Sequence, residues 1–192
     1  FTADGTGVVF GAARLDAAES RLFPTAAQPE LYRVPVNGGR PVQLLTTPAE
    51  EVAVSADGRL MLYEDRKGGE NAWRKHHTSS VARDIWVYDV VAGTHRKLTT
   101  FAGEDRDPVF ADGDSAVLYL SEESGTLNVH RMSLSGGAST QLTHFTSGGP
   151  VRFLSRADDG TLAFTHGGRI HTLAPGGEPR PVSVVKIGRA HV

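Results

Sequence analysis

The chain contains no cysteine among its 192 residues. That excludes disulfides, thiol catalysis and cysteine-ligated metal, but it assigns no compartment, so cytoplasm and periplasm both stay open. Charge of one sign is lacking too. Lysine and arginine total 20 against 22 acids, a formal net charge of −2. Bulk electrostatics therefore point to neither nucleic acid nor an anionic membrane surface as a partner. No apolar run is long enough to span a bilayer. No stretch carries a sustained helical period, and glycine or proline interrupts nearly every candidate. The Gly-x-Ser-x-Gly elbow of serine hydrolases is also missing.

What is present is a phrase spoken four times. Asp4-Gly5, Asp57-Gly58, Asp112-Gly113 and Asp159-Gly160 each precede an apolar strand: Val8–Phe10, Leu60–Tyr63, Val117–Tyr119 and Thr161–Phe164. The glycine-to-glycine steps are 53, 55 and 47 residues. An alternating strand follows in each unit, at Glu30–Val34, Asp84–Tyr88, Leu127–Arg131 and Arg169–Leu173. Alternation sends side chains to opposite faces of a sheet. Next comes a glycine turn, at Asn37-Gly38-Gly39, Ala92-Gly93, Ser135-Gly136-Gly137 and Pro175-Gly176-Gly177, and then a strand that closes three units in Leu-Thr. Strand, tight turn, strand at this period predicts an all-β fold: a partial β-propeller of about four four-stranded antiparallel blades, some incomplete. The blades are expected near residues 1–47, 48–100, 101–143 and 144–184, the opening one cut short. Their first strands are placed near Val52–Val54, Pro108–Phe110 and Val151–Leu154.

Residues 185–192 are expected to be a non-native tail, because Lys186–Val192 resembles the translation of a short sequencing adapter. Four blades taken from a larger ring would leave two blade faces and their edges uncovered. The isolated chain is therefore expected to be poorly soluble or to open easily, and a monodisperse, cooperatively melting monomer would contradict this.

The longest interruption of a blade, Arg66 to Arg83, holds Arg66, Lys67, Arg74, Lys75 and Arg83 with Glu70 as its one acid, plus His76 and His77. Long loops inside compact repeats often carry function. One reading is a cationic rim of Arg66, Lys67, Arg74, Lys75, His76 and His77 that attracts a peptide carboxylate. The other is a structural excursion, with Trp73 packed down and the charges solvated or paired. His76-His77 with Ser79-Ser80 has the residue types of nucleophilic catalysis, but adjacent side chains on a strand diverge, so no catalytic residue is assigned. Five acids between Glu104 and Asp114 suggest a cation site, yet their spacing fits no EF-hand loop and Asp112-Gly113 belongs to the blade phrase. His130 lies on one unit and His144, His166 and His171 on the next, at no metal-ligand spacing. Gly5-Thr6-Gly7 lacks the helix that a phosphate loop needs. Neither cofactor nor metal is expected.

Several words in the chain are more specific than the blade phrase. Phe23-Pro24, Glu30–Gly39, Tyr63–Trp73, Arg74–Trp86, Gly103–Pro108 and Pro150–Leu154, in that order, resemble the N-terminal propeller of tricorn-type serine peptidases over roughly residues 1–184. The resemblance implies a six-bladed propeller that precedes a second propeller, a PDZ-like domain and a peptidase domain. The catalytic serine would lie downstream, and the propeller would guide or gate peptides toward it. The family's carboxylate-holding basic residues match no position here. Peptides or protein partners at the propeller face and the remaining domains of the parent chain are the partners so implied. TolB-like propellers share the blade phrase, so a protein-interaction module unconnected to proteolysis is the competing reading.

Overall fold

A computed structural model describes residues 1–13, 29–45, 47–67, 76 and 78–184. Among these there is no helix, and all regular structure is antiparallel sheet. The first sheet has three strands: β1 (Gly7–Ala12), β2 (Glu30–Pro35) and β3 (Val42–Leu45). The second has four: β4 (Ala49–Val54), β5 (Leu60–Asp65), β6 (Ile85–Asp89) and β7 (Thr94–Lys97). The third is β8 (Asp105–Ala111), β9 (Ala116–Ser121), β10 (Asn128–Ser133) and β11 (Thr140–Gln141). The fourth is β12 (Arg152–Arg156), β13 (Leu162–His166), β14 (Arg169–Leu173) and β15 (Arg180–Pro181). Each is a simple meander in chain order, and β4, β8 and β12 pack on one another as successive inner strands. This is a partial propeller whose ring is not closed. The strands of the first blade correspond to the second, third and fourth strands of the others.

The blade phrase has a local cause. In its turns Asp4, Asp57 and Asp159 each accept, on Oδ1, the backbone N–H two residues on, from Thr6 (3.0 Å), Arg59 (2.9 Å) and Thr161 (2.8 Å). The intervening glycines take φ of +67°, +73° and +86°, where a Cβ would be strained. These hydrogen bonds hold the carboxylates below their usual range, Asp4 at about 2, with the Thr2 hydroxyl its largest influence.

The Leu-Thr ending also has a cause. Thr143 Oγ1 accepts the Val129 N–H (2.9 Å) and donates to Asn128 Oδ1 (2.9 Å), while Thr99 Oγ1 accepts the Ile85 N–H (3.1 Å). The hydroxyl continues the ladder where the last strand stops, and Leu98 and Leu142 bury beside it. Thr143→Val keeps the volume but leaves a buried N–H unsatisfied. It should cost about 1–3 kcal/mol in urea unfolding, and a loss under about 0.5 kcal/mol would refute this role.

The core lies between blades. Ala116, Leu118 and Leu120 of β9 pack toward the fourth blade against Val151, Leu162 and Phe164, while Val117 and Tyr119 pack toward the second against Leu62, Ile85 and Val87. Every residue of β9 is therefore buried. Leu31, Leu45, Ala49 and Tyr63 fill the gap between the first two blades. One main-chain latch recurs at each junction. The amides of Ala49, Asp105 and Val151, at the start of each inner strand, donate to the carbonyls of Pro29, Arg83 and Leu127 of the preceding blade, at 2.8, 3.1 and 2.9 Å.

Candidate functional site

The inner strands share a distortion. The register of β4 slips between Glu50 and Ala53, that of β8 between Arg106 and Val109, and that of β12 between Arg152 and Ser155. At the same offset in each slip one non-glycine residue is left-handed: Glu51 (φ +46°), Asp107 (+51°) and Phe153 (+58°). Such bulges bend the strand and re-aim its side chains. Left-handed backbone at bulky residues is costly and persists only where the surroundings fix it. At the second and third bulges an acid of the preceding blade contributes. Glu64 Oε2 accepts the Asp107 N–H (3.2 Å), and Asp107 Oδ2 accepts the Leu154 N–H (3.1 Å).

The bulges border a concavity of about 450 Å³ lined by four acids, Glu50, Glu51, Glu64 and Asp107, and four arginines, Arg66, Arg83, Arg106 and Arg152. Arg83 is its buried centre. Nε stands 3.3 Å from Glu64, Nη2 3.5 Å from Glu50 and Nη1 3.6 Å from Glu104. Arg106 Nε donates to Glu104 (2.8 Å), and Arg66 Nη1 donates to both oxygens of Glu50 (2.7 and 2.9 Å). Burial pushes the Glu64 carboxyl up to about 8, against the pull of Arg83, and raises Glu51 and Asp107 as well. Burial lowers the Arg152 guanidinium, and Arg106 adds to that. Among the described residues the lining holds no serine, threonine, cysteine, histidine or lysine. What it offers is a wall carrying both signs of charge, completed by the apolar side chains of Leu120, Leu127, Phe153 and Leu154.

The proposed rim residues are placed differently from one another. Arg66 is drawn inward onto Glu50. Lys67 Nζ donates to Asp84 and to the Ala82 carbonyl (2.6 Å), with Asp65 at 3.4 Å; burial works against its charge, but these acids hold the ammonium above its usual range. His76 is exposed at φ +55°, and its backbone N–H donates to Glu122 of the third blade (3.1 Å). Arg74, Lys75 and His77, with Trp73, lie outside the described residues. The five acids of residues 104–114 part company in space: Asp105 is buried in a separate cavity, and the other four find different partners. Glu104 meets Arg83 and Arg106, Asp107 meets the Leu154 amide, Asp112 meets Arg131 and Asp114 meets the Ala56 amide (2.7 Å). Sequence reasoning passed over Glu50, Glu64, Arg106 and Arg152. A charged residue just ahead of each inner apolar strand, at Glu50, Arg106 and Arg152, is the signal that could have found them.

Residues 1–178 match the tricorn protease N-terminal beta propeller domain. The chain belongs to that family. Its coordinates superpose on the tricorn protease crystal structure with a TM-score of 0.71 at 19% identity, over 90% of this chain and 16% of that one. The TolB of Agrobacterium tumefaciens gives the same TM-score at 16% identity, over 93% of this chain and 61% of that one. In sequence, the Tol-Pal system protein TolB of Helicobacter hepaticus is 28% identical over 98 residues, which is 51% of this chain and 23% of the relative. The chain thus spans about a quarter of the length of the curated relatives it matches. Among the described residues no helix is long and apolar enough to cross a membrane.

Proposed function

We propose that this domain is a non-catalytic propeller segment that guides or gates peptides toward a peptidase site elsewhere in a longer chain. The observation that supports this most is the concavity on the inner strands of a tricorn-family propeller, where four guanidinium groups and four carboxyl groups line the wall and, among the described residues, no nucleophile does. Such a surface favours a free carboxylate and peptide main chain over particular side chains, and it binds weakly because exposed charges are screened. In this reading Arg74, Lys75, His76 and His77 extend the charged surface at the rim, with Arg66 and Lys67 anchoring its base.

The test is fluorescence-anisotropy titration of short peptides with free or amidated C-termini. Free-carboxylate peptides should bind more tightly, and added salt should weaken them. Reversing Arg74 and Lys75 together to glutamate should lower affinity about two- to fivefold. No change would remove the rim, and equal binding of amidated peptides would remove the carboxylate preference. The similarity to TolB sustains a second reading, a protein-interaction module unconnected to proteolysis. The coding sequence downstream separates the two: PDZ-like and serine-peptidase domains support the first.

A further inference from the structure

A second cavity lies between the second and third blades. It measures about 260 Å³, and Thr99, Phe101, Asp105, Tyr119, Glu123 and Ser139 are among its walls. Asp105 is fully buried there, and among the described residues neither of its oxygens has a hydrogen-bond partner. The hydroxyls of Ser121 and Thr99 stand close enough to pull its pKa down but not in bonding geometry, and burial dominates, raising the carboxyl to about 7. A second orphan lies alongside. His130 Nε2 is buried without a partner, while its Nδ1 faces Ser139 Oγ at 3.4 Å. Ser139 in turn donates to Glu123 (3.1 Å) at the cavity rim.

A buried carboxylate without donors is expensive, and a bound cation offsets that cost. The charged side chains of the lining are Asp105 and Glu123, with no lysine or arginine among them. Around them stand hydroxyl acceptors and the apolar walls of Phe101, Tyr119 and Met132. An ammonium group brings three donors, and its alkyl stem suits aromatic walls whose faces attract cations. Among the described residues no cluster of three histidines or acids could hold a metal ion, which favours an organic cation. We propose that this cavity binds a primary ammonium group, supplied by a small alkylamine or by the lysine side chain of a partner, with Asp105 as its counter-ion and Glu123 at its mouth. The proposal does not depend on the peptide reading of the inner strands.

The test is calorimetric or NMR titration of the chain with n-butylammonium, Nα-acetyl-lysine amide and neutral 1-butanol. Butylammonium should bind saturably and butanol should not. Binding of the lysine amide would admit a protein partner, and its failure would confine the occupant to free amines. Asp105→Asn, which removes charge at constant shape from a group with no polar partner to lose, should weaken amine binding about tenfold or more. If that variant does not fold, Glu123→Gln at the exposed mouth should still weaken binding about two- to fivefold. Absence of saturable amine binding, an unchanged affinity in both variants, or equal occupancy by potassium ion would overturn the proposal.

Discussion

Replacing Arg83 by methionine is expected to destabilise the chain by about 3–5 kcal/mol at pH 8.5. The side chain is buried, and its three nitrogens face Glu64, Glu50 and Glu104, which come from β5, β4 and the segment leading into β8. Nε and Nη1 make no hydrogen bonds, so proximity of charge rather than bond geometry holds the group together. Truncating the cation strands buried carboxylates that already resist ionisation. The loss should shrink toward pH 6, where Glu64 is protonated and asks less of its partner. Adding Glu64→Gln to the methionine variant should recover part of the loss, because the two sites share one interaction. Urea unfolding at both pH values measures this, and a loss below about 1 kcal/mol at pH 8.5 would show that the cluster does not hold blades together.

The second large effect is on the pH profile. Glu64 titrates at about 8 in the folded chain, well above its ordinary value of 4.5, because it is buried. Between those values the folded state keeps a proton that the unfolded state has lost, so stability must fall as pH rises. Asp105, raised to about 7, acts in the same direction, as do Glu51 and Asp107. Burial lowers His95 and His130, which act oppositely: below pH 6.5 the unfolded chain takes up protons that these rings refuse. The cleanest window is pH 6.5 to 8, where the chain should lose about 1–2 kcal/mol through Glu64 alone. Glu64→Gln keeps an oxygen for the Asp107 N–H but cannot titrate. Its profile should be flatter by nearly one proton over that window. Parallel profiles for the two proteins would contradict the assignment.

The parts of the fold that could be read from sequence are those whose chemistry is local. Asp-Gly turns recur as letters because in three of the four the aspartate accepts a hydrogen bond from two residues on, and Leu-Thr endings recur because the hydroxyl caps the strand paired beside it, 14 positions back. The inner-strand bulges could not be read in this way. Their left-handed positions are filled by Glu51, Asp107 and Phe153, and no letter shared by all three marks them. Arg83 shows the same limit. In the sequence it is one of five cations in a long loop, whereas in space it is enclosed by acids 33, 19 and 21 positions away. Arg66 and Lys67 likewise look available until Glu50 and Asp84 fold against them. Pairing across blades is a property of the ring, and one strand's pattern cannot announce it.

The amides of Ala49, Asp105 and Val151 reach the preceding blade through atoms that every residue here possesses. Part of the spacing from vane to vane is thereby carried by atoms that no substitution removes, and drift in the letters leaves that part intact. Relatives below one-fifth identity can then superpose over nine-tenths of the chain, as the tricorn protease does. The side chains between these fastenings can then vary in kind, provided each junction stays filled and its buried charges stay matched.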